Sequence, residues 1–139
     1  MIYTPNGINN LIVSLENTSE TLLFRYYVLS PEEGFWFHKN GERNPDAPPM
    51  IPMTIIPERT GRGYMSCAIS PEQQLLYCDE DWDKIHKGTF GIFRIHEKYT
   101  DEVSDSVATY RIARRDKALQ IAEFDYASLV NLIRLRRDG

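Results

Sequence analysis

Apolar and polar residues alternate in several short runs of this chain, the spacing typical of β-strands. In Thr21–Leu29 both faces are apolar except at Arg25, which predicts a strand near the centre of a sheet. Leu11–Leu15 precedes it across a polar connection, so the two runs together predict a hairpin. Similar runs predict further strands at residues 35–38, 64–69, 90–98, 107–115 and 119–124.

The last residues follow a helical pattern instead, and predict a helix over residues 125–137. Asp125 is a favourable N-cap, and three arginines near the end complement the negative end of the helix dipole. The apolar face contains Tyr126, Leu129, Val130 and Ile133, widened by Leu132 and Leu135. We expect this face to cover the sheet, and its width also permits a homodimer or a partner groove.

These elements predict an α+β fold in a single globular domain spanning residues 1–139. The expected sheet is mainly antiparallel, with about five to seven strands, and could close into a barrel. Residues 44–57 hold five of the eight prolines, which excludes a helix or a central strand there. This proline-rich segment is expected to wrap around the domain.

Charge is distributed unevenly along the chain. The net charge is −4, with 9 Lys+Arg against 16 Asp+Glu in residues 1–106 and 7 against 4 in residues 107–139. The acidic excess of residues 1–106 argues against general adhesion to nucleic acid, although the basic residues 107–139 could still form one contact patch. The sequence shows neither a secretory signal nor an apolar run of roughly 20 residues, so we expect a cytoplasmic protein without a membrane span.

An acidic cluster with a central tryptophan is the first candidate binding site. Its alternating aspartates resemble the start of a calcium loop, but Lys84 and Phe90 stand where such a loop needs glycine and glutamate. A tryptophan ringed by carboxylates suits contact with a basic protein surface. The predicted partner-binding residues are Asp79, Glu80, Asp81, Trp82 and Asp83.

Aromatic and basic residues interleave in the last third of the chain and form the second candidate site. Such a combination can hold single-stranded nucleic acid by base stacking and phosphate pairing. It is equally typical of the solvent face of an antiparallel sheet. The residues of this possible nucleic-acid face are Phe93, Arg94, Tyr110, Arg111, Arg114 and Arg115.

No catalytic, cofactor or metal motif is intact in the sequence. Cys67, Cys78, His86 and His96 are separated by ten, seven and nine residues, whereas zinc sites usually have closely spaced ligand pairs. We therefore predict no metal and no cofactor. The leading hypothesis is a non-enzymatic binding or regulatory protein, such as an inhibitor or adaptor, acting through protein contacts. A single-stranded nucleic-acid binder and a small hydrolase or ligand-binding barrel remain as alternatives.

Overall fold

The computed structural model describes residues 3–27, 64–77, 88–104 and 109–138. Short 3-10 turns at Glu97–Tyr99 and Arg115–Lys117 join some of the strands. In chain order the helices and strands are α1 (Pro5–Leu15), β1 (Glu20–Tyr27), β2 (Tyr64–Cys67), α2 (Pro71–Tyr77), β3 (Thr89–His96), β4 (Thr100–Ser104), β5 (Thr109–Arg114), β6 (Leu119–Phe124) and α3 (Tyr126–Asp138).

The strands form two antiparallel sheets of three strands each, in the orders β1-β3-β6 and β2-β5-β4. Phe24 and Ala68 exchange two backbone hydrogen bonds, of 3.0 and 2.8 Å, which join β1 to the residue that follows β2. The α+β class and the antiparallel sheet are therefore confirmed. Among the described strands the sheets do not close into a barrel.

Two hydrophobic cores lie on opposite faces of β1. Leu22, Phe24 and Tyr26 face the core beneath α1 and α3, which we call the helix-side core. Leu23 faces the other way, toward Met65 of β2, in what we call the sheet-side core. This alternation confirms that β1 is apolar on both faces, and it lies between β3 and Ala68 as a central strand should.

The N-terminal hairpin prediction is wrong, because Leu11–Leu15 is the end of helix α1. The helix begins at Thr4, whose side-chain oxygen accepts a hydrogen bond of 3.1 Å from the Gly7 N–H, and Pro5 occupies its first turn. Its apolar side chains pack into the helix-side core, with Ile8 fully buried. Capping and packing against α3 thus override the strand preference of the β-branched residues near its end.

The predicted strands in the last third are present, and β5 and β6, although consecutive in the chain, lie in different sheets. The 3-10 turn Arg115–Lys117 carries the chain from one sheet to the other, so β5 pairs with β2 and β4 while β6 pairs with β3. The predicted strand at residues 35–38 and the proline-rich segment 44–57 lie outside the described residues. Within the described ranges no helix has the length and apolar character needed to cross a bilayer.

Helix α3 confirms the C-terminal prediction to within one residue at each end. The Ser128 N–H donates a 2.8 Å hydrogen bond to Asp125 Oδ1, as expected of an N-cap. Phe124 and Leu129, on either side of this cap, are both buried in the helix-side core. Leu129 and Leu132 are the fully buried residues of the helix face.

We expect Asp125→Ala to lower the free energy of unfolding by about 1 kcal/mol, because it removes the cap of α3. Hydrogen bonds from the Ser128 side chain and backbone N–H hold the pKa of Asp125 below its ordinary value. The Asp125 contribution is therefore present above the pKa of an unfolded aspartate and is lost as pH falls through the folded pKa. Urea unfolding at neutral and acidic pH measures both effects.

Asp125→Asn is the matched control, because asparagine caps helices about as well but does not titrate. It should keep most of the stability at neutral pH and remove this part of the acid dependence. Unchanged stability in Asp125→Ala, with the same pH dependence as the unaltered protein, would show that the cap does not stabilise α3.

Candidate partner-binding groove

A groove of about 270 Å³ lies where the end of α1, the start of β1 and the start of α2 meet. Its apolar lining consists of Ile12, Leu15, Leu22, Phe24, Ile69 and Pro71. The polar lining consists of Glu16, Asn17, Thr18, Glu20, Thr21, Ser70, Glu97 and Arg136. The groove therefore combines apolar surface with several carboxylates.

The turn after α1 places Glu16 beside the groove. Asn17 adopts φ 65°, a left-handed conformation that asparagine tolerates better than most residues and that reverses the chain after the helix. The Thr18 N–H and hydroxyl both donate to the Leu15 carbonyl, at 3.1 and 2.7 Å. These bonds occupy a carbonyl at the end of the helix and fix the path into β1.

Glu97 reaches the same groove from the end of β3. Antiparallel pairing of β1 and β3 places Glu20 opposite His96, the residue before Glu97. The Glu97 N–H then donates a 2.8 Å hydrogen bond to the Ser19 carbonyl. The register of one strand pair thus brings Glu97 beside the turn that carries Glu16.

Two arginines near the groove are already paired with carboxylates. Arg94 binds Glu20 through two contacts, Nη2 to Oε2 at 2.6 Å and Nε to Oε1 at 3.2 Å, and this hydrogen bonding lowers the pKa of Glu20. Arg136 Nε donates to Glu72 at 2.8 Å.

Glu16 and Glu97 form no ion pair with any described residue, and both are exposed. The groove therefore carries two carboxylates whose charge no described cation balances.

The volume and lining of the groove favour a side chain over a larger ligand. Small-molecule sites commonly have volumes of about 300–1,000 Å³, so a groove of about 270 Å³ lies at the small end of that range. A lysine or arginine side chain has an aliphatic stem that packs on apolar surface and a cationic head that binds carboxylates. Its chemistry matches the apolar lining and the exposed carboxylates.

The predicted acidic cluster Asp79–Asp83, with Trp82, lies outside the described residues and stays a prediction. Of the zinc candidates, Cys78 and His86 lie outside them as well. Among the described residues no group of three or more His, Cys, Asp or Glu side chains is placed to hold a metal ion.

The residues of the predicted nucleic-acid face are spread over both sheets. Phe93 is 4% exposed in the sheet-side core, so its ring does not offer a base-stacking surface in this structure. Arg94 follows it on the opposite face of β3 and binds Glu20, as described above.

The other residues of that face lie in or next to β5. Arg111 Nη1 donates to Thr100 Oγ1 at 2.8 Å, and Arg114 pairs with Asp116 at 3.0 Å. Arg115 is half-buried at the start of the turn that follows, and the backbone of Tyr110 pairs with Val103.

A second polar cluster ties β1 to β6 across β3. The Tyr27 hydroxyl donates to Glu123 Oε1 at 2.8 Å and accepts from Gln120 Nε2 at 2.7 Å. Burial raises the pKa of Tyr27 to about 12. The Tyr27 ring passes over Gly91 of β3, where any side chain on residue 91 would clash with the ring. These contacts give the cluster a structural role.

Buried Arg25 and Cys67 lie near each other between the two sheets. Arg25 Nη1 donates to the Ser66 carbonyl at 2.7 Å, and burial lowers its pKa to about 10, so it stays charged at neutral pH. Burial raises the pKa of the Cys67 thiol to about 12. A cysteine nucleophile reacts as the thiolate, so Cys67 has the properties of an inert buried thiol.

No protein-family model, curated protein or solved structure matches this chain.

The groove has no signature in the sequence, because Glu16 and Glu97 come from distant parts of the chain and neither belongs to a motif. The turn signal at Glu16–Glu20 was visible in the sequence, but the β1–β3 register that brings Glu97 to it was not.

Proposed function

We propose that this protein is a non-enzymatic binding or regulatory protein that holds a positively charged segment of a partner protein in the groove. The observation that carries this proposal is the pair of exposed, unbalanced carboxylates of Glu16 and Glu97 beside an apolar lining. A basic side chain from the partner would pack its stem on Leu15 and Ile69 and direct its charge to these two carboxylates. Complementary charge of this kind supports selectivity and fast association.

Selection from a random peptide library against the immobilised protein tests the proposal. We expect the enriched peptides to contain lysine or arginine beside an apolar residue. The double variant Glu16→Gln with Glu97→Gln should bind these peptides about tenfold more weakly, since each rim ion pair contributes modestly. Affinity for the unaltered protein should also fall as the salt concentration rises, because the charges are exposed.

Glu102→Gln is the matched control, because Glu102 is an exposed carboxylate on β4 outside the groove. It should leave peptide affinity unchanged, and thermal unfolding of all variants checks that the fold is retained. Enriched peptides without basic residues, or equal affinities for the double variant and the unaltered protein, would contradict the proposal.

Tyr99 supports single-stranded nucleic-acid binding as a second candidate function. Lys98 Nζ and Lys117 Nζ lie 5.0 and 5.2 Å from the centroid of its ring, so one aromatic side chain has two cations beside it. Glu97 and Asp116 are adjacent in sequence to these lysines and reduce the local positive charge. We therefore rank this candidate second. Oligonucleotide binding that falls steeply with salt and depends on Lys98 and Lys117 would reverse the ranking.

A further inference from the structure

The groove contains a cation as well as carboxylates. Arg136, in the last turn of α3, lines it together with Glu16 and Glu97. Arg136 Nε donates a 2.8 Å hydrogen bond to Glu72 Oε1, and its two Nη groups have no hydrogen-bond acceptor among the described residues. The terminal edge of this guanidinium, formed by Nη1 and Nη2, is therefore available to a ligand.

Arg94 provides a comparison within the same protein. It binds both oxygens of Glu20, through Nε at 3.2 Å and Nη2 at 2.6 Å. Arginine binds carboxylates most strongly through two parallel N–H groups of this kind. Arg136 makes only one bond to Glu72, and its side chain is 29% exposed, so it retains the geometry to bind a second carboxylate through two bonds.

Arg136 also limits which basic ligand suits the groove. A lysine or arginine side chain that binds Glu16 and Glu97 brings a second cation into the groove that Arg136 lines, and like charges repel. A ligand that carries its own carboxylate offsets this repulsion and supplies the Nη groups with an acceptor. Because a groove of about 270 Å³ suits a single residue, we expect the carboxylate on the same residue as the cation.

We propose that the groove recognises a lysine or arginine at the C-terminus of the partner protein. The side chain of this terminal residue binds Glu16 and Glu97, and its α-carboxylate binds the Nη groups of Arg136. This inference rests on the proposed function and names the part of the partner that enters the groove. A residue inside a chain lacks the α-carboxylate, because that group is there part of a neutral amide. The rest of the partner stays outside the groove.

Two synthetic peptides test the inference by calorimetric titration of the full chain. One is acetyl-Gly-Leu-Arg with a free carboxylate, and the other is the same peptide with a C-terminal amide. We expect the free acid to bind about tenfold more tightly, because amidation removes a charge-assisted pair of hydrogen bonds. General attraction to the acidic protein predicts the opposite order, since the amide carries one more positive charge.

Arg136→Gln should reduce the difference between the two peptides to about twofold or less, because the carboxylate loses its partner. Glu72→Gln is the matched control, since it breaks the same ion pair but keeps the charge of Arg136. It should leave the preference for the free acid in place. Thermal unfolding of both variants checks that the fold is retained.

Equal affinities for the two peptides, both reduced in the Glu16→Gln, Glu97→Gln double variant, would overturn C-terminal recognition and leave the proposed function standing. A preference for the free acid that persists in Arg136→Gln would also overturn it. Failure of both peptides to bind at millimolar concentration has the same meaning, whereas the proposed function falls only if the library selection also yields no basic peptide.

Discussion

Replacing Leu132 with alanine is expected to lower the free energy of unfolding by about 2–5 kcal/mol, the range observed when truncation of a buried leucine leaves a cavity. Leu132 is 0% exposed and lies in the helix-side core, which joins α1, α3 and the β1-β3-β6 sheet. Its loss weakens packing among all these elements at once. Urea unfolding followed by circular dichroism measures the change.

Leu119→Ala is the matched control for this prediction. Leu119 carries the same side chain on β6 but is 64% exposed, so its truncation should change the free energy of unfolding by no more than about 0.5 kcal/mol. Similar losses in Leu132→Ala and Leu119→Ala would contradict the described packing of α3.

Replacing Gly91 with alanine is expected to lower the free energy of unfolding by about 1–3 kcal/mol, the range for overpacking. A Cβ at Gly91 would lie 2.7 Å from Tyr27 Cε1 and 3.0 Å from Phe93 Cε2. The Tyr27 ring cannot move aside without breaking its hydrogen bonds to Gln120 and Glu123. Thermal or urea unfolding measures the effect.

A double-mutant cycle with Tyr27→Leu distinguishes a clash with the Tyr27 ring from a general intolerance of β3 to any side chain at residue 91. Without the Tyr27 ring, Gly91→Ala should cost much less, because the nearest obstacle is gone and alanine suits a strand interior better than glycine. An undiminished cost in the Tyr27→Leu background would show that Tyr27 does not restrict this position.

Local sequence patterns were sufficient for much of the fold. Alternation identified β1 and β3, and the Asp125 cap with its apolar face identified α3, because each signal lies within one element. Helix α1 was missed since Leu11–Leu15 is rich in strand-favouring residues, whereas the cap at Thr4 and the packing of Ile8 determine its structure. The pairing of Phe24 with Ala68, which joins the two sheets, has no local signal in the sequence because the two residues are far apart in the chain.

The groove could not be predicted because it depends on tertiary placement. Glu16 follows a helix that was predicted as a strand, and Glu97 reaches it through the β1–β3 register. Alternation did place Phe93 and Arg94 on opposite faces of β3, as observed. It could not show that the Phe93 face lies against a second sheet, or that Arg94 has Glu20 as a partner.

Chemical-shift mapping tests most directly whether the groove binds a basic protein segment. Adding a lysine- or arginine-containing peptide from the selection to the isotope-labelled protein should shift backbone amide resonances of Leu15, Glu16, Leu22, Ile69 and Glu97. At a peptide concentration well below saturation, these shifts should be several-fold smaller in the Glu16→Gln, Glu97→Gln double variant. Shifts confined to residues around Tyr99, or identical shifts in both proteins, would contradict the account.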